Sequence, residues 1–247
     1  MKLTVLGNRS PYPTEFSGGS GYLLQDEEQN ILLDIGSGTL SNLQKIIPIY
    51  KLDAVVISHL HLDHFLDLLP LHHAIMLAIK NGQRDNALAV YLPFTESPEL
   101  DFIRTKVGDE FHLQELTADT NLNLGNLEFD FHSTTHSKEC LGIKVSNGEF
   151  SLGYTADTAF DEKLINFLAE SNLLLAEASL LEKDKDKRSL GHMTVNDAVK
   201  FGFKAGVNKL LLTHLASTYD IVEIREEIPE LDFEVELSKV LESYFIS

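Results

Sequence analysis

The segment VVISHLHLDHF, residues 55 to 65, places three histidines and an aspartate within six positions, directly after a run of branched aliphatic residues. Such an aliphatic run is typical of a buried β-strand. Because side chains alternate along an extended chain, His59, His61 and Asp63 are predicted to point to one side. The leucines between them point to the other side and are predicted to anchor the segment in the core.

The side chains of this segment favour metal binding. His59 and His61 can hold one ion, while Asp63 and His64, which begins the following helix, can reach a second ion nearby. Neutral imidazole and carboxylate groups suit zinc, manganese and iron. Cys140 is the only cysteine of the chain, which excludes an internal disulfide and a thiolate cluster. We therefore expect two divalent ions held by histidine and carboxylate, zinc first, with manganese or iron as alternatives.

The composition is that of a globular protein. The chain has 247 residues, of which 43% are hydrophobic and 23% are charged, enough for a substantial core. The amino terminus MKLTVLGN lacks the features of a signal peptide, and the apolar runs end well short of the roughly 20 residues of a membrane span. We therefore expect a cytoplasmic enzyme with no membrane partner.

The formal net charge of −18 bears on the partner. Basic residues supply the affinity of proteins for long polyanions, so this charge argues against a large nucleic acid. The segment EKDKDKR, residues 182 to 188, is the only dense basic cluster, and its acidic residues nearly cancel its charge, so it is predicted to be a solvated loop. Arg9, Lys138 and Arg188 are candidate phosphate contacts.

Strand-like and helix-like segments alternate along the chain, which is typical of an α/β fold. GYLLQDEEQNILLDIG, residues 21 to 36, is predicted to form a hairpin. TVNDAVKFGFKAG, residues 194 to 206, is predicted to be a helix with Thr194 as its N-cap and Gly206 as its end. Because no linker rich in proline, glycine or serine divides the chain, residues 1–247 are predicted to form a single domain.

Two segments far apart in the sequence share a pattern. VVISHL, residues 55 to 60, and LLLTHL, residues 210 to 215, each contain three aliphatic residues, a hydroxyl residue, a histidine and a leucine. The match predicts two equivalent half-sheets, each of which sends one histidine to a common edge.

The array H-x-H-x-D-H resembles the signature of the metallo-β-lactamase-fold hydrolases. HSTTHSKECLGIKV, LGYTADTAF and LLLTHL resemble the third, fourth and fifth motifs of that superfamily, and LLLDIGSG resembles its early Asp-x-Gly segment. These motifs occur in order, and the resemblance covers nearly the whole chain. It implies an α/β (α+β) fold, namely a four-layer αββα sandwich of two mixed sheets with outer helices.

The resemblance also implies roles for residues outside the first segment. One ion would take His59, His61, His136 and Asp157, and the other would take Asp63, His64, Asp157 and His214. A hydroxide between the two ions would attack the substrate. Asp34 would orient a ligand histidine from behind.

Two further segments, LAEASL and LGHMT, resemble those of the ribonuclease Z and phosphodiesterase branch of the superfamily. In that branch a glutamate, here Glu177, holds a histidine, here His192, which contacts the scissile phosphate and protonates the leaving oxygen. Asp63 would act as the general base. The long arm with which ribonuclease Z clamps tRNA has no counterpart in this sequence.

The sequence therefore favours a metal-dependent hydrolase, a phosphodiesterase that cleaves a small phosphodiester or an RNA end. Three alternatives stay open. The first is a tRNA 3′-end processing endoribonuclease whose clamp comes from the second copy in a homodimer. The second is a hydrolase of esters, thioesters or lactones. The third is a non-enzymatic, metal-dependent binding or redox module.

Overall fold

The computed structural model describes residues 1–231 and 233–247. Its strands are β1 (Lys2–Gly7), β2 (Arg9–Ser10), β3 (Gly21–Asp26), β4 (Gln29–Ile35), β5 (Ala54–Val56), β6 (Leu88–Pro93), β7 (Phe111–Leu116), β8 (Asn121–Leu124), β9 (Leu127–Ser133), β10 (Leu141–Ser146), β11 (Ser151–Tyr154), β12 (Leu173–Glu177), β13 (Lys209–Thr213), β14 (Leu215–Ala216), β15 (Glu234–Leu237) and β16 (Ser243–Phe245). Its α-helices are α1 (Thr39–Leu43), α2 (Leu62–Phe65), α3 (Leu68–Lys80), α4 (Pro98–Lys106), α5 (Glu162–Phe167), α6 (Val195–Ala205) and α7 (Ile221–Glu226). Short 3₁₀ helices span Ile49–Lys51 and Glu182–Leu190.

The strands form two large mixed sheets and one small sheet. The first seven-stranded sheet has the order β16-β1-β3-β4-β5-β6-β7, and the second has the order β15-β13-β12-β11-β10-β9-β8. Strands β4 to β7 are parallel, as are β11, β12, β13 and β15. The predicted hairpin is confirmed as the antiparallel pair β3 and β4. Strands β2 and β14 pair in parallel as the small sheet.

Alternation along the strands builds the layers. In β12, Leu173 and Leu175 belong to an apolar cluster that both large sheets share, whereas Leu174 and Ala176 belong to a cluster that includes the apolar face of α6. A third cluster joins the outer face of the first sheet to α3. Each sheet therefore has one face against the other sheet and one face against helices. This arrangement confirms the predicted αββα sandwich.

Helix α6 follows its sequence signals closely. The Thr194 hydroxyl accepts a hydrogen bond from the Asp197 amide, and the Asp197 carboxylate accepts one from the Thr194 amide, which is a complete capping box. Gly206 adopts the left-handed conformation, with φ of 65°, and ends the helix. Both predicted ends of α6 are confirmed.

The segment around the histidine array differs from its prediction. The strand β5 ends at Val56, so the array follows the strand as predicted, but the next helix begins at Leu62 and not at His64. Leu60 is buried as predicted, but the prediction for Leu62 is wrong, because its side chain is 57% exposed. Leu62 is the first residue of α2, so its direction follows helical geometry and not the alternation of an extended chain.

The basic segment at residues 182–188 is not an irregular loop, which corrects the prediction. It forms most of a 3₁₀ segment from Glu182 to Leu190, which non-helical backbone at Asp184 interrupts. Lys185 and Lys187 lie 3.1 and 2.6 Å from the carboxylates of Glu182 and Asp184, three residues earlier. The alternating charges of the segment therefore pair with one another.

Among the described residues, one helical stretch, Leu62–Lys80, is long and apolar enough to cross a membrane, with a mean hydropathy of 1.2 over an 18-residue window. The stretch comprises α2 and α3. Phe65, Leu68 and Ile75 pack in the apolar cluster on the outer face of the first sheet. We therefore interpret the stretch as a core element of the fold.

Candidate metal centre

The candidate site lies where strands of both large sheets end. His59 follows β5 of the first sheet, whereas His136, Asp157 and His214 follow β9, β11 and β13 of the second sheet. Their side chains meet, together with those of the α2 segment, in three groups: the first is His59, His61, His136 and Asp157, the second is Asp63, His64 and His214, and the third, Asp157, His192 and His214, shares a residue with each of the others. The prediction that each half-sheet sends a histidine to a common edge is confirmed.

The first group consists of three histidines and an aspartate. Nδ1 of His61 lies 3.0 Å from Nε2 of His59 and 3.0 Å from Nε2 of His136. Oδ2 of Asp157 lies 3.6 Å from Nε2 of His59 and 3.8 Å from Nε2 of His136. One ligand atom from each of the four side chains lies within 4.8 Å of the others, which is close enough for one ion to contact all of them.

The side chains of the second group lie around the other carboxylate oxygen of Asp157, Oδ1. Oδ1 of Asp157 lies 3.4 Å from Nε2 of His64 and 3.3 Å from Nε2 of His214. Oδ2 of Asp63 lies 3.3 Å from Nε2 of His214. The two carboxylate oxygens of Asp157 therefore face different groups, as required of a carboxylate that bridges two ions.

The outward-facing nitrogens of these imidazoles are fixed by hydrogen bonds. The pairs are His59 Nδ1 with Ser58 Oγ at 3.1 Å, His64 Nδ1 with Asp34 Oδ2 at 2.8 Å, His136 Nδ1 with the Gly191 carbonyl at 3.0 Å and His214 Nδ1 with Ser179 Oγ at 2.8 Å. When each Nδ1 carries the proton and donates it outward, each Nε2 presents a lone pair to the centre of the site. The prediction that Asp34 lies behind a ligand histidine fits this geometry.

The donor set fits divalent metal ions. Oδ1 of Asp157 is buried without a hydrogen-bond partner, so it is free to coordinate. Burial, together with the charges of neighbouring histidines, lowers the pKa of His59 well below its usual value and that of His61 to about 4, so both rings are neutral. Burial acts to raise the pKa of Asp63, but the hydrogen bond from His214 and the charge of His64 outweigh burial and hold that pKa at about 2. Neutral imidazoles and ionised carboxylates are the ligand forms that zinc requires.

His64 differs from the other histidines of the site. Burial opposes its charged form, but the carboxylates of Asp157 and Asp34 on either side raise the pKa of His64 well above its usual value. Without a metal, this ring carries a proton between two carboxylates. An ion that binds Nε2 of His64 therefore displaces a proton.

The predicted acid His192 and its partner Glu177 lie beside the candidate metal centre. Oε1 of Glu177 lies 2.9 Å from Nδ1 of His192, and the Glu177 side chain is fully buried. The His192 side chain is 21% exposed, and its ring stacks against that of His214 with ring centroids 5.7 Å apart. Burial lowers the pKa of His192, but the charge and hydrogen bond of Glu177 outweigh burial and raise that pKa to about 9. The ring is therefore a proton donor at neutral pH.

A pocket of about 340 Å³ opens onto this arrangement. Its walls include Asp63, His192 and His214, and also Ser10 and Pro11 from the amino-terminal part of the chain. Ser10 belongs to β2, which pairs with β14 immediately after His214. The small sheet therefore holds one wall of the pocket against the site.

Two further histidines and the candidate phosphate contacts lie outside these groups. His72 is buried and contacts the carboxylate of Glu110 at 3.0 Å, and His112 is exposed. Lys138 pairs with Glu99 at 2.8 Å, and Arg188 donates to Asp197 at 3.0 Å, at the start of α6. Two of the three candidate phosphate contacts, Lys138 and Arg188, are therefore already paired with carboxylates. The third, Arg9, donates to the carbonyl oxygen of Ala216 at 3.3 Å.

Several residues that support the site were not predicted from the sequence. The Tyr154 hydroxyl donates to Oδ2 of Asp34 at 2.7 Å, and the Thr158 amide donates to Oε1 of Glu177 at 3.1 Å. Ser58 and Ser179 each contact a histidine of the site. Both serines lie in segments that the sequence analysis singled out, VVISHL and LAEASL, but the sequence assigned neither of them a contact.

Comparisons with known proteins agree with this architecture. Residues 29–215 match the model of the β-lactamase superfamily domain. The chain is 33% identical over 217 residues to a probable metallo-hydrolase, YhfI, of Bacillus subtilis, with 87% of each chain covered. The crystal structure of that metallo-β-lactamase fold protein superposes with a TM-score of 0.92 at 30% identity, and 98% of each chain is covered.

Two further solved structures share the fold at lower identity. The short form of human tRNase Z superposes with a TM-score of 0.80 at 22% identity and full coverage of both chains. A diphosphatase of the PhnP family superposes with a TM-score of 0.80 at 18% identity, covering 99% of this chain and 97% of that one. The chain therefore belongs to the β-lactamase superfamily, has the metallo-β-lactamase fold and is a metal-dependent hydrolase of that superfamily.

Proposed function

We propose that the protein is a dinuclear metal-dependent phosphodiesterase that hydrolyses small phosphodiesters. The observation that carries the proposal is the contact between Glu177 and His192 at 2.9 Å, beside the metal cluster. Hydrolysis of a phosphodiester at neutral pH needs a proton for the departing alkoxide, and a buried carboxylate paired with a partly exposed imidazole can supply it. A thioester releases a thiolate, which leaves without such help.

The metal ligands in this proposal are the seven residues predicted from the sequence, with zinc as the first expectation and manganese or iron as alternatives. One ion would be held by His59, His61, His136 and Asp157, and the other by Asp63, His64, His214 and Asp157. Two such ions would lower the pKa of a water molecule and neutralise charge on the phosphoryl oxygens.

The chain's own side chains move the protons. Asp63 accepts the proton of the attacking water as the new P–O bond forms. His192 donates its proton from Nε2 to the leaving oxygen as the old P–O bond breaks, and Glu177 keeps the ring oriented through Nδ1. The products are a phosphomonoester and an alcohol, and the two protons balance.

A panel of substrates tests the proposal. The zinc- or manganese-loaded protein is assayed with bis-p-nitrophenyl phosphate, a 2′,3′-cyclic nucleotide, a thioester, a lactone and a pre-tRNA. We expect hydrolysis of the two small phosphodiesters and none of the thioester or lactone. The exposed His112 offers a matched control, and the variant His112→Ala should keep wild-type activity. Turnover of the lactone or thioester alone would overturn the proposal.

The second candidate function is tRNA 3′-end processing. The likeness to the short form of human tRNase Z supports it. The net charge of −18 and the ion pairs of Lys138 and Arg188 weigh against a grip on a polyanion. Cleavage of the pre-tRNA at physiological salt would favour this function over the first.

Three further expectations belong to the same proposal. We propose that the 247 residues act as one hydrolase domain, since both sheets share one apolar cluster. We also propose that the protein works in the cytoplasm without a membrane partner. A homodimer is expected, and sedimentation of the metal-loaded protein measures it directly.

A further inference from the structure

The fully buried carboxylate of Glu177 contacts more than His192. Its Oε1 accepts from His192 and from the Thr158 amide, and its Oε2 accepts from the Ser179 amide at 3.1 Å and from the Ser179 hydroxyl at 2.8 Å. The Ser179 hydroxyl oxygen lies 2.8 Å from Nδ1 of His214. Glu177 therefore lies between the proposed leaving-group acid and a side chain of the metal cluster.

The hydrogen bonds form an ordered chain. When Nε2 of His214 faces Asp157 as a ligand, Nδ1 of His214 carries the proton and donates it to Ser179 Oγ. The Ser179 hydroxyl then has one proton and two acceptors within reach, Oε2 of Glu177 at 2.8 Å and the His214 carbonyl oxygen at 3.0 Å, and the shorter bond, to the charged carboxylate, completes the chain. We call this chain, from His214 through Ser179 to Glu177, the serine relay. The two oxygens of Glu177 thus serve two imidazoles, one directly and one through the relay.

The first sheet contains a related arrangement, in which one carboxylate oxygen serves both partners. Oδ2 of Asp34 contacts Nδ1 of His64 directly at 2.8 Å and accepts from the Ser58 hydroxyl at 2.8 Å, and Ser58 Oγ lies 3.1 Å from Nδ1 of His59. Asp34 lies on β4, parallel to the β5 strand that precedes His59, just as Glu177 lies on β12, parallel to the β13 strand that precedes His214. Each sheet therefore contributes one buried carboxylate, one serine and one pair of imidazoles.

From this correspondence we infer that Ser179 is a positioning residue for the metal ion bound by His214, and that Glu177 orients both this ligand and the acid His192. The inference rests on the proposed metal assignment, but it concerns Ser179, which has no role in the proposed reaction. The loss of Ser179 is expected to affect only one of the two ions. Loss of the serine relay weakens the ion held by Asp63, His64 and His214, and leaves the ion held by His59 and His61 in place.

Metal retention tests the inference without relying on activity. Zinc bound per chain is measured after equilibration with a graded zinc–chelator buffer for the wild type, Ser179→Ala, Ser179→Thr and Ser171→Ala. Ser171 is a matched control, because it is a fully buried serine whose hydroxyl contacts only the Leu168 carbonyl among the described residues. We expect Ser179→Ala to bind one of the two ions about 10- to 100-fold more weakly. The Ser179→Thr variant, which keeps the hydroxyl, restores the affinity, and Ser171→Ala binds both ions as the wild type does.

A second pair of variants traces the relay to Glu177. We expect Glu177→Gln to weaken the same ion as Ser179→Ala does, and His192→Ala to leave both zinc affinities within about twofold of the wild type. Equal weakening of both ions in Ser179→Ala, or wild-type affinity for both, overturns the inference. A wild type that binds two ions and shows the selective loss, but hydrolyses no phosphodiester, keeps the inference and refutes the proposed function. A wild type that does not bind two ions refutes both.

Discussion

Nε2 of His64 and Nε2 of His214 lie 3.1 Å apart, although 150 residues separate them in the sequence. His64 comes from the helix beside the first sheet, and His214 follows a strand of the second sheet. The two ring nitrogens and the nearby carboxylate oxygens of Asp63 and Asp157 surround one small space between the sheets. A divalent ion in that space would hold both sheets together.

Removal of metal should therefore lower the stability of the whole domain. An ion present at 1,000 times its dissociation constant stabilises the folded state by about 4 kcal/mol. For a chain of this size we expect the melting temperature to fall by roughly 10 °C when a chelator is added. Differential scanning calorimetry with and without chelator measures the shift. A His214→Ala variant should respond less than the wild type, and an unchanged melting temperature in the wild type would contradict the prediction.

The effect of His192→Ala should depend on the leaving group. A poor leaving group such as an alkoxide requires the proton of His192, so kcat should fall about 10²- to 10⁴-fold. The p-nitrophenolate group leaves without a proton, so kcat on bis-p-nitrophenyl phosphate should fall by less than about tenfold. Steady-state kinetics on both substrates measures the difference. Equal losses on both substrates would show that His192 does not act as the acid.

The dependence of kcat on pH should also report the protonation of His192. Glu177 raises the pKa of His192 to about 9 against the effect of burial, so the acid form is present below that pH and is lost as the pH rises through it. With an alkoxide leaving group, kcat should therefore decline above about pH 9. In Glu177→Gln the decline should move to lower pH, because the charge that raises the pKa of His192 is gone. The decline should be absent in His192→Ala, and its persistence there would assign it to another group.

Gly36 should be essential for the position of Asp63. A Cβ atom at residue 36 would lie 1.9 Å from the backbone oxygen of Asp63, and the Ser20 amide already donates to that oxygen at 3.0 Å. Gly36→Ala must therefore displace the α2 segment, at a cost of about 1–3 kcal/mol or more and with loss of activity. Gly82→Ala is the control, because a Cβ at residue 82 meets nothing within 4 Å and its φ of +69° costs stability only. Denaturant unfolding and kcat measured on both variants separate the two effects.

Tyr154→Phe should destabilise the protein more than Tyr22→Phe does. The Tyr154 hydroxyl donates to the carboxylate of Asp34 at 2.7 Å, whereas the Tyr22 hydroxyl is hydrogen-bonded to the neutral hydroxyl of Thr213, also at 2.7 Å. Hydrogen bonds to charged groups contribute about 1.5–3 kcal/mol, and neutral ones about 0.5–1.5 kcal/mol. Urea unfolding of both variants measures the difference. A larger loss in Tyr22→Phe would contradict the prediction.

The parts of the site that lie close together in sequence could be predicted from it. His59, His61, Asp63 and His64 fall within six positions, so local geometry alone brings them together. The positions of His136, Asp157 and His214 followed from motifs and not from spacing. Leu62 was placed wrongly, because the sequence did not show that the chain changes from extended to helical at that residue.

The supporting residues could not be predicted, for a physical reason. Ser179 contacts His214 across 35 residues, and Tyr154 contacts Asp34 across 120 residues. Serine and tyrosine are common in many environments, and only the packing of the two sheets gives these particular ones a role. Both residues lie in motif segments, LAEASL and LGYTADTAF, but only the tertiary structure shows which atoms their hydroxyl groups contact.

The pairing of β2 with β14 has a consequence for the order in which parts of the fold form while the chain is synthesised. A ribosome completes Ser10, in one wall of the pocket, long before it reaches Ala216, the residue with which Ser10 pairs. Contacts between such distant residues form late, because a long loop must close first. A nascent chain can therefore pair β1 with β3 to β7 early, but it has neither the edge strand β16 of the first sheet, nor the closed pocket, nor His214 until late in its synthesis.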